Sequence, residues 1–280
     1  MIKPTETRQQ WAKSRGGVTF KGSPLTLPVS IERRYEKELI KLVQYINRLV
    51  MEEIDALYGS KQAEVYFAQD SVSGDAKRVM SKVTKAVDEK IKDEMPSLVA
   101  RIMASVNSDG KTKLTASVKE MSGGINVKLP SMPGDMKDIF AATVEENVSL
   151  IKSIGDQYLS SVNGIIMRSI TEGESGVEKQ LREQFGVTKR RARLIATDQV
   201  RKAYNNFNIE RCKAIGITKG IWIHTAGSKE PRPKHRDFNG KEFDLEKGAP
   251  VGNNNEYVKP GQEINCRCIY KPVIDFGGDD

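Results

Sequence analysis

From Tyr35 to Leu57 apolar side chains recur at Tyr35, Leu39, Leu42, Ile46, Leu49, Ile54 and Leu57, in steps of three and four and once five. That rhythm winds one apolar stripe along an α-helix and fits no strand. It predicts a helix over 31–58, ended by Gly59. The same period returns at Val79, Val83, Val87 and Ile91, predicting a second helix from near Asp75. Pro96 is expected to bend or restart it, and Asn107-Ser108-Asp109-Gly110 to stop it. A third long helix is read over 135–170 from Ile139, Val144, Val148, Ile151, Ile154, Leu159, Val162 and Ile166. Gly155 and Gly164 within it mark kinks or close packing. After Gly173 and Gly176 come a short helix at 177–185 and then a longer one, with Thr188 as N-cap and Gly216 as stop. The stripe at 31–58 also has a spacing that supports oligomerisation, although packing within the chain is the commoner use.

The texture changes after Gly216. Ile217 to His224 alternates and is β-branched around Trp222, so it reads as a strand. Turn residues fill Gly227–Gly261, and Cys268–Val273 reads as a second strand. The fold class expected is therefore α+β, a mostly helical body followed by a small domain of short strands and long turns. The division by residue is an irregular arm at 1–30, a helical body at 31–172, the small domain at 173–276 and a frayed tail at 277–280.

Composition narrows the function classes. No run of 18 apolar residues exists to cross a bilayer, and Met1–Glu6 lacks the apolar core of a signal peptide. Three cysteines, two of them in a C-x-C pair, make no disulfide framework and suit a reducing cytosol. The net charge of +8 is spread along the chain, +4 in residues 1–170 (25 Lys and Arg against 21 Asp and Glu) and +4 in the remainder. A dedicated nucleic-acid binder concentrates its charge; a diffuse excess fits work beside acidic partners or packed DNA. The one basic run is Lys189-Arg190-Arg191-Ala192-Arg193. Read in the first turns of a helix, its charges oppose the dipole. Lys189, Arg190, Arg191 and Arg193 are therefore candidates to grip phosphates or an acidic surface, the alternative being a solvated helix face.

Both histidines and two of the three cysteines lie in the last quarter of the chain. His224, His235, Cys266 and Cys268 supply the four donors that a closed zinc site needs. One ion would tie together a loop-rich segment with a poor apolar core. Zinc knuckles prefer C-x₂₋₄-C, however. The plainer alternative has a cysteine packed in the core as a small apolar side chain and His235 hydrogen-bonded across the domain. A third use is catalysis, with His235 as the base of a nuclease-like or toxin-like enzyme acting on a nucleic acid or nucleotide. No acid–base partner accompanies it.

Taken in order, several of these residues resemble the phage Mu protein F-like minor head proteins, the phage head morphogenesis family. The likeness runs from about Arg191 to Tyr270. It comprises Arg193-Leu194-Ile195-Ala196-Thr197-Asp198, Gly216, Trp222, Pro231-Arg232-Pro233-Lys234-His235, Asn239-Gly240 with Phe243, and Asn265-Cys266-Arg267-Cys268. Two departures stand out. Gly227–Glu230 replaces an Asp that often precedes the Arg, and Glu263-Ile264-Asn265 stands where members often have His-Pro-Asn. The resemblance implies a virion component of a tailed double-stranded DNA phage, made in the bacterial cytoplasm and sited in the head interior or at the portal vertex. It implies association with the portal protein, and with major capsid or scaffold proteins, in head morphogenesis or in packaging and delivery of the DNA. No catalytic residue is implied and no cofactor is needed beyond the zinc that the ligand set allows. Thr197, Trp222, Arg232, His235, Gly240, Asn265, Cys266, Arg267 and Cys268 are then the internal framework of the small domain.

Overall fold

The computed structural model describes residues 18–59, 72–124, 127–172, 176–225 and 231–276. The architecture is α+β. Strand β1 (Val18–Lys21) precedes four long helices, α1 (Val29–Gly59), α2 (Val72–Met121), α3 (Met136–Glu172) and α4 (Val177–Ala214). There follow β2 (Lys219–Ile223), the short helix α5 (Pro233–Asp237), β3 (Glu242–Asp244), β4 (Ala249–Pro250), β5 (Tyr257–Val258) and β6 (Ile269–Phe276). The chain divides into two compact units. One comprises residues 33–101 and 144–196; the other comprises 1–32, 102–143 and 197–280.

The first unit is helical. The predicted stripe is its core: Tyr35, Leu39, Leu42, Ile46 and Ile54 are all buried, together with Val43 and Val50. Leu49 is only half-buried, and the side chain of Leu57 lies outside what the structure describes. Val87 and Ile91 of α2 and Ile151, Ile154 and Val162 of α3 complete the apolar interior. Gly155 marks close packing rather than a kink: a Cβ there would stand 3.3 Å from Val87 and 3.5 Å from Ile91. Two buried tyrosines find partners across the helices. Tyr35 donates to Asn147 Oδ1 at 3.0 Å, and Tyr158 to Asn47 Oδ1 at 2.6 Å.

Three helix boundaries differ from the sequence reading, each for a physical reason. Pro96 neither ends nor restarts α2, which continues from Val72 to Met121. The proline is exposed, so water can take the carbonyl that its missing N–H leaves free. Asn107-Ser108-Asp109-Gly110 is helix interior, not a stop. Gly110 is small because Asn208 of α4 lies against it, and a Cβ would stand 2.6 Å from Asn208 Oδ1. The helices read at 177–185 and from 188 are one, α4. Thr188 is no N-cap; its hydroxyl donates back to Gln184 O at 2.9 Å, inside the helix.

The second unit holds a four-stranded antiparallel sheet in the order β1-β6-β2-β3, and a two-stranded one of β4 and β5. The predicted strands 217–224 and 268–273 correspond to β2 and β6, which pair with Trp222 opposite Tyr270 and Ile223 opposite Ile269. Residues 18–21, read as irregular, form β1 on the other side of β6, with Lys21 opposite Val273. The rest of the arm before Val18, and the tail from 277, lie outside the described residues. Trp222, Phe243 and Tyr270 stack edge to face under this sheet, at ring separations of 5.7 and 6.0 Å.

Polar groups are buried in the same unit. Arg201 grips Glu32 with two bonds of 3.0 Å, and each side chain is only 8% exposed. Arg211 is fully buried, donating to the backbone and side chain of Asn107, to Asn208 Oδ1 and to Ser131 O. Burial pulls its pKa down to about 10, so it remains cationic at neutral pH.

Candidate metal centre

The polar cluster is assembled from three stretches of the second unit. The first is the end of β2. Gly240 adopts φ +81°, and its N–H donates to Trp222 O, while Trp222 N–H donates to Lys241 O. Asn239 Oδ1 accepts from His224 N–H at 2.9 Å. This turn fixes the backbone at Trp222 and His224. The second stretch is α5. Pro233 pre-sets its first turn, and His235 is delivered edge-on to Trp222 at 5.3 Å. The third is the run into β6. Asn265 takes a left-handed φ of 62°, and its N–H donates to Asp198 Oδ1 at 2.9 Å. Beyond it, exposure alternates from residue to residue. Cys266 and Cys268 therefore share the buried face and Arg267 points out. Thr225 Oγ1 donates to Arg267 O at 2.6 Å, carrying the contact between these two stretches past the ends of β2 and β6.

The structure brings three of the four predicted donors into one cluster and sets the fourth, His224, against Cys268 alone. His235 Nδ1 lies 3.6 Å from Cys266 Sγ and 3.6 Å from Cys268 Sγ. His224 Nδ1 lies 3.7 Å from Cys268 Sγ. The donor atoms of His235, Cys266 and Cys268 are all within 4.8 Å of one another, and all three residues are buried. The doubt over C-x-C spacing rested on turn-type knuckles. Here both sulfurs of the C-x-C pair reach the same imidazole nitrogen.

Electrostatics divide the two thiols. The Cys268 thiol donates to Cys266 and holds its pKa well below the ordinary thiol range, with a smaller contribution from His235. Cys268, bound to Cys266 and buried, is pushed up. The indole N–H of Trp222 is buried without a well-formed hydrogen bond and favours the ionised Cys268 sulfur. The other ring nitrogen of His235, Nε2, is 2.7 Å from Glu263 Oε2, but the two are not aligned for a hydrogen bond. Arg232 steadies Glu263 at 3.3 Å and donates to Ile264 O. His235 is 2% exposed. Each ring nitrogen of His235 thus has a neighbour, sulfur on one side and the Glu263 carboxylate on the other, a partner the sequence did not reveal.

Other framework residues fall into place unevenly. Thr197 is half-buried on α4, beside Asp198. Asp198 and Glu263 were missed as site residues. Burial raises the Asp198 carboxyl, opposed by its bond from Asn265 and the charges of Arg201 and Arg232. Glu263 had a signal in the sequence: it sits where relatives of the family often place a His.

The basic run lies in the helical unit and, because α4 is continuous, in a helix interior rather than its first turns. Lys189 sits over the Phe185 ring at 5.2 Å, Arg191 donates to Ser153 Oγ at 2.9 Å, and Arg193 pairs with Glu36 at 2.9 Å. Arg190 is exposed.

Comparison with known proteins bears on this same region. Residues 160–271 match the family described as Phage Mu protein F like protein. The F-like resemblance holds over that segment. It contains every framework residue from Thr197 to Cys268. An uncharacterized protein of Haemophilus influenzae (strain ATCC 51907 / DSM 11121 / KW20 / Rd) is 24% identical over 279 residues. The match covers 97% of this chain but 58% of that protein, so the chain spans a little over half of its relative's length. No solved structure matches. Among the described residues, no helix is long and apolar enough to cross a membrane.

Proposed function

We propose that the chain is a minor head protein of a tailed double-stranded DNA phage, acting in head morphogenesis as a structural and interaction component of the virion. The observation that carries this reading is the F-like match over residues 160–271. The geometry supports a structural use of that segment. Its framework residues are occupied by one another: Trp222 packs on His235, Phe238 and Phe243, Arg232 on Glu263 and Ile264, and Asn265 on Asp198.

The partners that fit are the portal protein first, then major capsid or scaffold proteins. Packaged DNA is a further partner, for which Arg190 and Arg193 are the exposed residues of the basic run. Lys189, Arg191 and Arg193 have contacts within the helical unit and would have to exchange them. The test is the location of the chain in purified particles, by cross-linking to the portal and by labelled reconstruction of the portal vertex. Cross-links to the portal and density at that vertex are the expected result. A particle assembled without the chain, with heads of normal form and infectivity, would sink the proposal.

A further inference from the structure

We infer that Cys266, Cys268 and His235 bind a zinc ion, with His224 as the fourth ligand, and that the ion pins α5 to the β2–β6 strand pair. This does not depend on the role of the chain in a phage head.

The argument begins with distances. Zinc lies about 2.3 Å from thiolate sulfur and about 2.0–2.1 Å from imidazole nitrogen. A tetrahedron with those radii has a sulfur–nitrogen edge of about 3.6 Å. Both sulfur–nitrogen edges to His235 are 3.6 Å, and the edge from His224 to Cys268 is 3.7 Å. Side chains packed only as small apolar groups have no reason to hold three such edges at once. The three central donors are buried, which keeps water from competing. His224 stands half-exposed at the rim against Cys268, outside the cluster of the other three donors, and must move inward to close the fourth position.

The surroundings fit the same ion. A metal-bound imidazole usually offers its other nitrogen to a carboxylate, which fixes the ring and makes it a better ligand. His235 does this: Nδ1 faces the sulfurs and Nε2 faces Glu263, itself held by Arg232. The buried Trp222 N–H would gain a thiolate as acceptor. Two thiolates and two neutral imidazoles around a divalent cation leave no net charge to bury, and each thiol gives up its proton to solvent on binding. Soft sulfur with imidazole in a tetrahedral set favours zinc over harder divalent ions. The segment also has reason to need it. Between Arg232 and Cys268 the buried apolar side chains are few, chiefly Phe243, Leu245, Ala249, Val251 and Val258, and the strands are two or three residues long. An ion bound by groups from three separate stretches supplies the cross-links that such a core lacks.

The experiment uses the full chain without an affinity tag, purified under reducing conditions, with metal content read by elemental analysis and native mass spectrometry. One zinc per chain is expected. Cys266→Ser, Cys268→Ser and His235→Ala should each abolish stoichiometric zinc, and His224→Ala should weaken binding by at least about tenfold. Because those variants may misfold, the unmodified chain is also stripped with a chelator and reloaded with cobalt(II). The intense visible bands of a tetrahedral ion and a thiolate-to-cobalt charge-transfer band are expected. A folded, reduced chain that takes up neither zinc nor cobalt at one per chain overturns the inference. So does a cobalt spectrum without the thiolate band, or a Cys266–Cys268 disulfide in the protein isolated without added reductant. Unchanged affinity in His224→Ala overturns the four-ligand site.

Discussion

The helical unit and the strand-bearing unit hold together by different means. In the first, α1, α2 and α3 bury Leu39, Ile46, Val87, Ile91, Ile151 and Ile154 as one repeating apolar stripe, and polar groups enter it sparingly. In the second, the apolar core is threaded by groups that need a partner each: Arg201 with Glu32, Arg211 with Asn107, Asp198 with Asn265, and His235 with two thiols. Apolar contacts are non-directional and tolerate exchange of one hydrocarbon for another, whereas a buried polar group left without its partner incurs the full cost of desolvation. The helical unit should therefore forgive changes of shape and the strand-bearing unit should not forgive changes of chemistry.

The severest test of that contrast is Trp222→Ala. It removes the ring on which His235, Phe238 and Phe243 pack, and should cost about 4 kcal/mol in urea unfolding. A loss under about 1 kcal/mol would mean that this core is looser than its packing implies. Next comes Glu32→Gln, nearly isosteric, which leaves Arg201 buried with an uncompensated charge. A loss of about 3 kcal/mol is expected, and a double-mutant cycle with Arg201→Met should recover most of it. Gly110→Ala should cost about 2 kcal/mol because the new methyl group meets Asn208, and the loss should shrink when Asn208 is also changed to Ala. In the helical unit, Ile46→Val should cost only about 1 kcal/mol and Leu39→Met no more. If those two matched Glu32→Gln, the contrast would collapse. The mildest probe is chemical. Burial pushes the Cys212 thiol up to about 12 from 9.0, so the folded state favours the neutral form and any stability this gives is kept below pH 9 and lost as pH rises above it. At about pH 8 the native chain should leave Cys212 unalkylated, and denaturant should expose it. Rapid native labelling would show that the second unit opens easily.

The same division explains what could be read from the sequence. The stripe at Tyr35–Ile54 and the third helix were legible because burial on one helical face leaves a period of 3.6 in the order of residues. Local breakers were less informative. Pro96, Gly110 and Thr188 read as punctuation, yet α2 and α4 run through them. The site was legible as a set of residue types, His224, His235, Cys266 and Cys268, and its F-like signature held. Asp198 was not, because nothing in its spacing points to a partner, and Glu263 stood out only as a departure from the His-Pro-Asn of the family resemblance.

By itself, the sequence determined the α+β class, the two best helices, the strands around Trp222 and Tyr270, and the collection of soft donors near the C-terminus. These follow from periodicity and residue chemistry, which act over a few neighbours. The tertiary structure decided where the helices end, that Val18–Lys21 joins the sheet, and that the C-x-C pair turns both sulfurs toward one imidazole. Those outcomes depend on contacts between residues far apart in the chain: Gly110 beneath Asn208, Asn265 turned left-handed against Asp198, and β6 held in register between β1 and β2.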